Sequence, residues 1–290
     1  MDELMRFMTE EGFSAEDRDV LCGAYHRIMA IPAARERLEA VVSMYQADIH
    51  CDYKQILSLS KEMARIGELH PYTVDLLCFL CLIPRAKEVY AARGLSEELF
   101  YHTMADLRYK LEECRVVKGI CGSFVAHWFP GFFELKRFAF GRLQLETKEF
   151  GATYEKNGVC LTPDSTVLNA HIPRSGERLD EGRCLEAFAE AKEFFKDRLG
   201  DTPAVTCHSW ILFPKNRELL PSSSNLVKFM NLFDIYDWHY TTENQDLWRF
   251  FDTDEQNPNR LPTDSSLRRA YVEYLKQGGR CGSGCGIRLL

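Results

Sequence analysis

The stretch STVLNAHIPRSGERLDEGRCLEAFAEAKEFFKDRLGDTPAVTCHSWIL, residues 165–212, reads as strand, tight turn, amphipathic helix, strand. Two parallel strands joined through a helix open a crevice at their carboxyl ends. The connecting helix begins there with backbone N–H groups that have no partner in the helix, and sheets of this kind hold ligands, often anionic ones, at that point. Four polar residues fall at or beside the predicted crevice: His171, Arg174, His208 and Ser209. Side chains alternate along a strand. Val167, Asn169 and His171 therefore share one face of the first strand, with Leu168, Ala170 and Ile172 on the other. On the second, Thr206, His208 and Trp210 share a face, and Cys207 and Ser209 take the opposite one.

Upstream, RFAFGRLQLETKEF (137–150) alternates as a strand, with Phe138, Phe140, Arg142, Gln144 and Glu146 on one side. Asn157-Gly158 is the strongest short hairpin signal in the chain. Downstream, 213–233 reads as helical with a serine-rich cap at Ser222 to Ser224, and FDIYDWHYTT has the aromatic and β-branched bias of a strand. DSSLRRAYVEYLKQGG is a helix running out into glycines. The first third differs in period: apolar residues recur at helical spacing from Ser14 to Gly119. Ser14 is a capping residue with Asp17 three positions on, and Pro32 occupies a first turn. The expected architecture is α+β: an all-helical domain over 1–122, then a mixed sheet flanked by helices over 123–290.

The 290 residues are 46% apolar and 27% charged, which is the profile of a water-soluble protein with an ample core. A net charge of −7 disfavours a general nucleic-acid or anionic-membrane surface. The start, MDELMRFMTEEGF, is acidic, and no apolar run reaches the roughly 18 residues of a membrane span. A cytoplasmic protein is the expectation. Eleven cysteines are scattered, many within apolar helical patterns, as a reducing compartment permits. Cys78 and Cys81 sit in DLLCFLCLIP and read as buried packing; Cys281 and Cys285 read as incidental to a glycine-rich turn. No metal site is expected.

The chemistry is therefore sought at the crevice. A histidine near each strand end suits a general base, because imidazole titrates near neutrality. Each taken alone also fits a residue that hydrogen-bonds loop backbone. Arg174 and Arg178 flank Gly176, a combination that suits phosphate or carboxylate, or an exposed basic turn. Neither a P-loop nor a G-x-G-x-x-G occurs. Cys207 and His208 are adjacent on a strand and point to opposite faces, which argues against a nucleophile–base pair.

The segments GRLQLE (141–146), NAHIPRSGERL (169–179), CHSWILFP (207–214) and LLPSSSNLVKFMNLF (219–233), in this order, resemble bacterial acyltransferase-like proteins with a helical N-terminal domain and a GNAT-like C-terminal domain. The resemblance covers essentially the whole chain. It implies a GNAT-type mixed sheet and transfer of an acyl group from acetyl-CoA or another acyl-CoA to an amine of a small molecule or peptide. By position, the pantetheine arm would run along Asn169 to Ile172, opposite Cys207 to Trp210. The pyrophosphate would meet Arg174, Ser175, Gly176 and Arg178 and the start of the next helix. His208 is the first choice for the base and His171 the second, while Ser209, Tyr236 and Tyr240 are candidates to protonate the leaving thiolate. The loop departs from the family pattern, having one glycine and a proline without an N–H. That departure keeps a rival in play, a non-catalytic GNAT-like protein holding acyl-CoA or another anion in a regulatory role. A third reading is a hydrolase using Cys207 or Ser209.

Overall fold

The structure is a computed structural model and describes residues 2–156, 158–200, 202–242 and 246–290. Contacts divide the chain into two compact units, 1–137 and 138–290.

The first unit is helical: α1 (Asp2–Glu10), α2 (Ala15–Ala30), α3 (Pro32–Ala47), α4 (Tyr53–Gly67), α5 (Pro71–Ala92), α6 (Glu97–Met104), α7 (Asp106–Lys118) and the short α8 (Pro130–Phe133). Its starts follow the local signals. Ser14 accepts from the Asp17 N–H at 3.1 Å, a cap worth about 1 kcal/mol, and Pro32 opens α3 where no N–H is needed. The 123–137 segment, expected from the sequence to begin the sheet domain, packs in this helical unit instead. Buried Tyr45 and Tyr90 donate to the carbonyls of Phe133 and Phe132, both at 3.0 Å, and the Phe129 and Phe133 rings pack on Phe79. Arg137, stacked 3.5 Å over the Trp128 ring, fixes the end of the segment. Among the described residues no helix is long and apolar enough to cross a membrane.

The second unit contains β1 (Arg137–Phe140, entered at the boundary), β2 (Leu143–Glu149), β3 (Tyr154–Lys156), β4 (Val159–Leu161), β5 (Thr166–His171), α9 (Glu181–Phe194), β6 (Ala204–Ser209), α10 (Asn216–Leu219), α11 (Asn225–Met230), β7 (Asp234–Tyr240), α12 (Leu247–Phe251), α13 (Ser266–Lys276) and β8 (Gly282–Leu289). Six strands form one mixed sheet in the order β1-β2-β5-β6-β8-β7, and β3-β4 make a separate hairpin. The hairpin lies where Asn157-Gly158 predicts it; Asn157 itself is outside the described residues, and Gly158 has a φ of +79°.

Three local readings change. The alternating run 137–150 is broken by a two-residue turn at Gly141-Arg142, with Gly141 at φ +45°, so it forms two strands. The strand after α9 stops at Ser209; Trp210 opens a single 3-10 turn, and its ring packs 4.3 Å from Phe250. The glycine-rich end is no turn but the long strand β8, paired with both β6 and β7. Glycine is a poor strand former, yet here the turn after β6 rests directly on the sheet. A Cβ at Gly284 would overlap the Leu212 carbonyl, and one at Gly282 would overlap the Phe213 ring. Close packing outweighs propensity.

One face of the sheet is apolar. Leu145, Leu168, Ala170, Val205 and Cys207 are all buried there, against the α9 face carrying Cys184, Ala187, Phe188 and Ala191. Where β5 and β6 begin, the other face is closed by a cluster of Phe150, Leu161, Val167, Ala204 and Ile287, with Tyr154 and Tyr236 packed against it. Where they end, that face carries polar side chains.

Candidate active site

β5 and β6 form the parallel pair expected from the sequence, but their paired register is short. It covers Leu168↔Val205 and Asn169↔Thr206, while the strands run on to His171 and Ser209. Each strand keeps its outer partner over those last residues. Ala170 and His171 pair with Leu145 and Gln144 of β2; Cys207, His208 and Ser209 pair with Gly286, Cys285 and Gly284 of β8. The result is a fork that opens after Asn169 and Thr206, with His171 on one arm and His208 on the other, both on the polar face.

The His171 arm is the better organised. Glu146 lies directly across from Asn169 in the β2–β5 register, so its side chain projects from the same face. Its Oε1 is 2.7 Å from His171 Nε2 and 3.2 Å from Asn169 Nδ2, and Asn169 Nδ2 is 3.0 Å from His171 Nε2. An ionised Glu146 accepts from both the amide and an Nε2–H. In the neutral ring that tautomer places the lone pair on Nδ1. The carboxylate and imidazole side chains are 17% and 20% exposed, shielded enough to hold one geometry and open enough to meet a ligand.

His208 differs. It is exposed, its ring centre lies 5.3 Å from that of His239, and it pairs across β8 with Cys285. Desolvation, then the neighbouring His239 and Lys148, lower its pKa, so the ring is neutral near pH 7. Asp246 and Asp237 oppose that shift from a distance, but among the described residues no carboxylate hydrogen-bonds to the ring.

The acid candidates separate by face. Tyr236 lies on the polar side, where Thr206 and Cys285 meet its hydroxyl, and burial raises its pKa, keeping the proton on. Thr206 is the last paired residue of β6, so the Tyr236 hydroxyl stands at the base of the fork. Tyr240 lies on the opposite face with Trp238 and Phe213, at ring separations of 5.3 and 5.8 Å, and does not join the site. Ser209 caps the following turn by accepting from the Ile211 N–H at 3.2 Å. Cys207 is buried on the α9 side, its thiol pushed up to about 12 by desolvation, which removes the covalent-nucleophile reading for it.

The loop from Ile172 to Arg178 leaves the arm of β5 that carries His171. Gly176 takes φ +78°, a conformation that favours glycine. Arg142 underpins the loop, donating from Nη1 to the Pro173 carbonyl at 2.9 Å and from Nε to the Glu177 carbonyl at 3.1 Å. Between those anchors the backbone N–H groups of Ser175 and Gly176 meet no acceptor among the described residues, and neither does that of Arg178 just beyond. Arg174 does not project freely into this space: it pairs with Asp252, which also binds Arg268 at 2.6 Å. Arg178 is exposed and has no ion pair among the described residues. The start of α9, expected to face the pyrophosphate, is capped by Asp180, whose Oδ1 accepts from the Arg183 N–H at 3.2 Å. Glu181 adds a second carboxylate to that turn.

The sequence reading missed Glu146 and Arg142 as site residues. The alternation over 137–150 put both on one side of a strand, but only strand pairing reveals what they meet. Among the described residues no three His, Cys, Asp or Glu side chains converge in a way that could hold a metal ion. A cavity of about 300 Å³ is lined by helical-unit residues, among them Leu4, Tyr25, Leu38, Leu80 and Pro84, and contains none of the predicted site residues.

The model of the N-acyltransferase N-terminal domain matches residues 2–135, and that of the GNAT-like C-terminal domain matches residues 138–288. Among curated proteins none matches the sequence. Similar solved structures include an acyltransferase in complex with decanoyl-CoA (22% identity, TM-score 0.77) and an acyltransferase in complex with decanoyl-CoA and teicoplanin (20%, 0.74). A third is an acyltransferase mutant in complex with octanoyl-CoA (20%, 0.75). In each case the match covers 100% of this chain and 88% of the other. Two adjoining domain matches and a six-stranded sheet forked between its parallel strands give one conclusion: the chain belongs to the family that joins an N-acyltransferase N-terminal domain to a GNAT-like C-terminal domain.

Proposed function

We propose that this protein is an acyl-CoA-dependent N-acyltransferase, with His171 as the general base. The observation that carries the reading is the Glu146–His171 pair on one arm of the β5–β6 fork. The extended pantetheine arm of acyl-CoA is a strand-like ligand, and β5 beyond Asn169 offers it backbone no longer paired to β6. The loop N–H groups of Ser175, Gly176 and Arg178, with the Arg178 guanidinium, suit the diphosphate.

The neutral amine nitrogen attacks the thioester carbonyl carbon, forming the C–N bond. His171 takes one proton from that nitrogen, Glu146 stabilising the imidazolium, and the C–S bond then breaks. Tyr236 donates its proton to the departing thiolate and regains one from solvent while His171 releases its proton to solvent, so amine and acyl-CoA yield amide and free CoA. Positioned acid–base groups contribute about 10²–10⁴-fold each.

The neighbours' decanoyl and octanoyl ligands favour a medium-length acyl donor, and the complex with teicoplanin favours a peptide-like amine acceptor. The test is release of free CoA from octanoyl- and decanoyl-CoA in the presence of a panel of peptide and small-molecule amines. Turnover that disappears in H171A supports the reading; a chain that binds these donors and never releases CoA overturns it.

A further inference from the structure

We infer that Arg142 is the positioning residue that gives the 173–178 loop its diphosphate-binding form; this rests on the acyl-CoA reading above. The loop lacks the multiple glycines that usually turn successive N–H groups toward a phosphate, and it begins with a proline that has none to give. Something other than local sequence must therefore hold its amides outward.

Arg142 is placed to do so. It follows Gly141 in the β1–β2 turn and is only 7% exposed, and its guanidinium reaches the carbonyls of Pro173 and Glu177. Capturing the oxygens at both ends of the segment orients its peptide planes. With those carbonyls turned down onto the guanidinium, Gly176 at φ +78° completes the bend. The Ser175, Gly176 and Arg178 N–H groups are left without an acceptor among the described residues. Arginine suits the task because its planar fork spans two acceptors in fixed geometry, which an ammonium on a flexible stem does not. Its charge also sits beneath a loop in which Arg174 is already paired with Asp252 and Glu177 with Arg183, while Arg178 has no ion pair among the described residues.

The experiment compares two donors with the same acyl group, octanoyl-CoA and octanoyl-pantetheine, which lacks the diphosphate and nucleotide. The readout is the ratio of their kcat/KM values in wild type, R142K and G176A. The expected result is that R142K lowers the ratio at least tenfold, through KM for octanoyl-CoA. G176A, which strains the same loop with Arg142 intact and has open space for the methyl group, should lower it in the same direction. A general structural role would depress both donors equally and leave the ratio where it was, which would overturn the inference. So would a G176A ratio equal to wild type, even if R142K failed to fold. A wild-type protein that uses neither donor would instead sink the acyltransferase reading on which this rests.

Discussion

His171 Nε2 lies 2.7 Å from Glu146 Oε1, although the two residues are 25 positions apart and belong to neighbouring antiparallel strands. Strand register makes the contact: Glu146 pairs with Asn169, and His171 is the next residue on that face. Glu146→Gln keeps the shape and removes the charge that stabilises an imidazolium. The expected outcome is a fall in kcat of about 10–10²-fold with KM for acyl-CoA within about twofold, since the substitution touches the base rather than the donor. Steady-state kinetics with a saturating amine checks it.

Cys207 is buried on the α9 face, whereas Cys160 is exposed on β4. A thiol raised to about 12 is almost wholly protonated at neutral pH. Iodoacetamide applied to the native chain and followed by peptide mass spectrometry should label Cys160 first and leave Cys207 untouched. Cys207→Ala should still release CoA; complete loss of turnover in a folded variant would restore the covalent reading.

Asp252 bridges Arg174 and Arg268 from a left-handed backbone conformation, φ +57°. Asparagine tolerates that conformation, so Asp252→Asn isolates the charge. Arg268 keeps Asp264, its Nη1 lying 2.9 Å from either carboxylate oxygen, and loses its less exposed partner. The expected cost is about 1–2 kcal/mol, a fall of roughly 2–8 °C in melting temperature by calorimetry.

Two glycine-to-alanine changes should move stability in opposite directions. At Gly284 the new methyl group meets the Leu212 carbonyl, a backbone group that cannot swing aside, and the expected cost is about 3 kcal/mol or more. At Gly23, inside α2 with open space around it, the same change should gain about 0.5–1 kcal/mol from helix propensity. Urea denaturation of the two variants measures both.

Glu11, after α1, is raised from 4.5 to about 7 by desolvation, offset in part by Arg108 and aided by Glu10. A carboxyl whose folded pKa exceeds its unfolded value favours the protonated fold. Its contribution is full below pH 4.5 and disappears as pH rises through about 7. Wild type should therefore gain stability relative to Glu11→Gln as pH falls from about 8 to 5.5. An equal shift in both proteins would show that another group governs that window.

The strand–helix–strand core of the second unit, the helical character of the first and the caps at Ser14 and Pro32 were legible in the sequence. Each depends on residues within a few positions of one another: alternation for β5 and β6, helical spacing for α9, a side-chain oxygen three residues from the N–H it caps. The sequence also singled out His171 at a strand end, Gly176 in a turn and Tyr236 as a candidate proton donor. Tertiary structure decided the rest. That Glu146 meets His171, that Arg142 donates to a loop more than thirty residues away, and that Arg174 pairs with Asp252 all follow from which strands and loops lie side by side. Local periodicity carries no record of that. The strand β8 was hidden because its glycines answer to what packs on them, the Leu212 carbonyl at Gly284 and the Phe213 ring at Gly282, rather than to strand propensity. Hydrophobic period fixes which way a side chain faces within its own element; the partner it meets there is set by non-local pairing, where register and close packing outweigh any local preference.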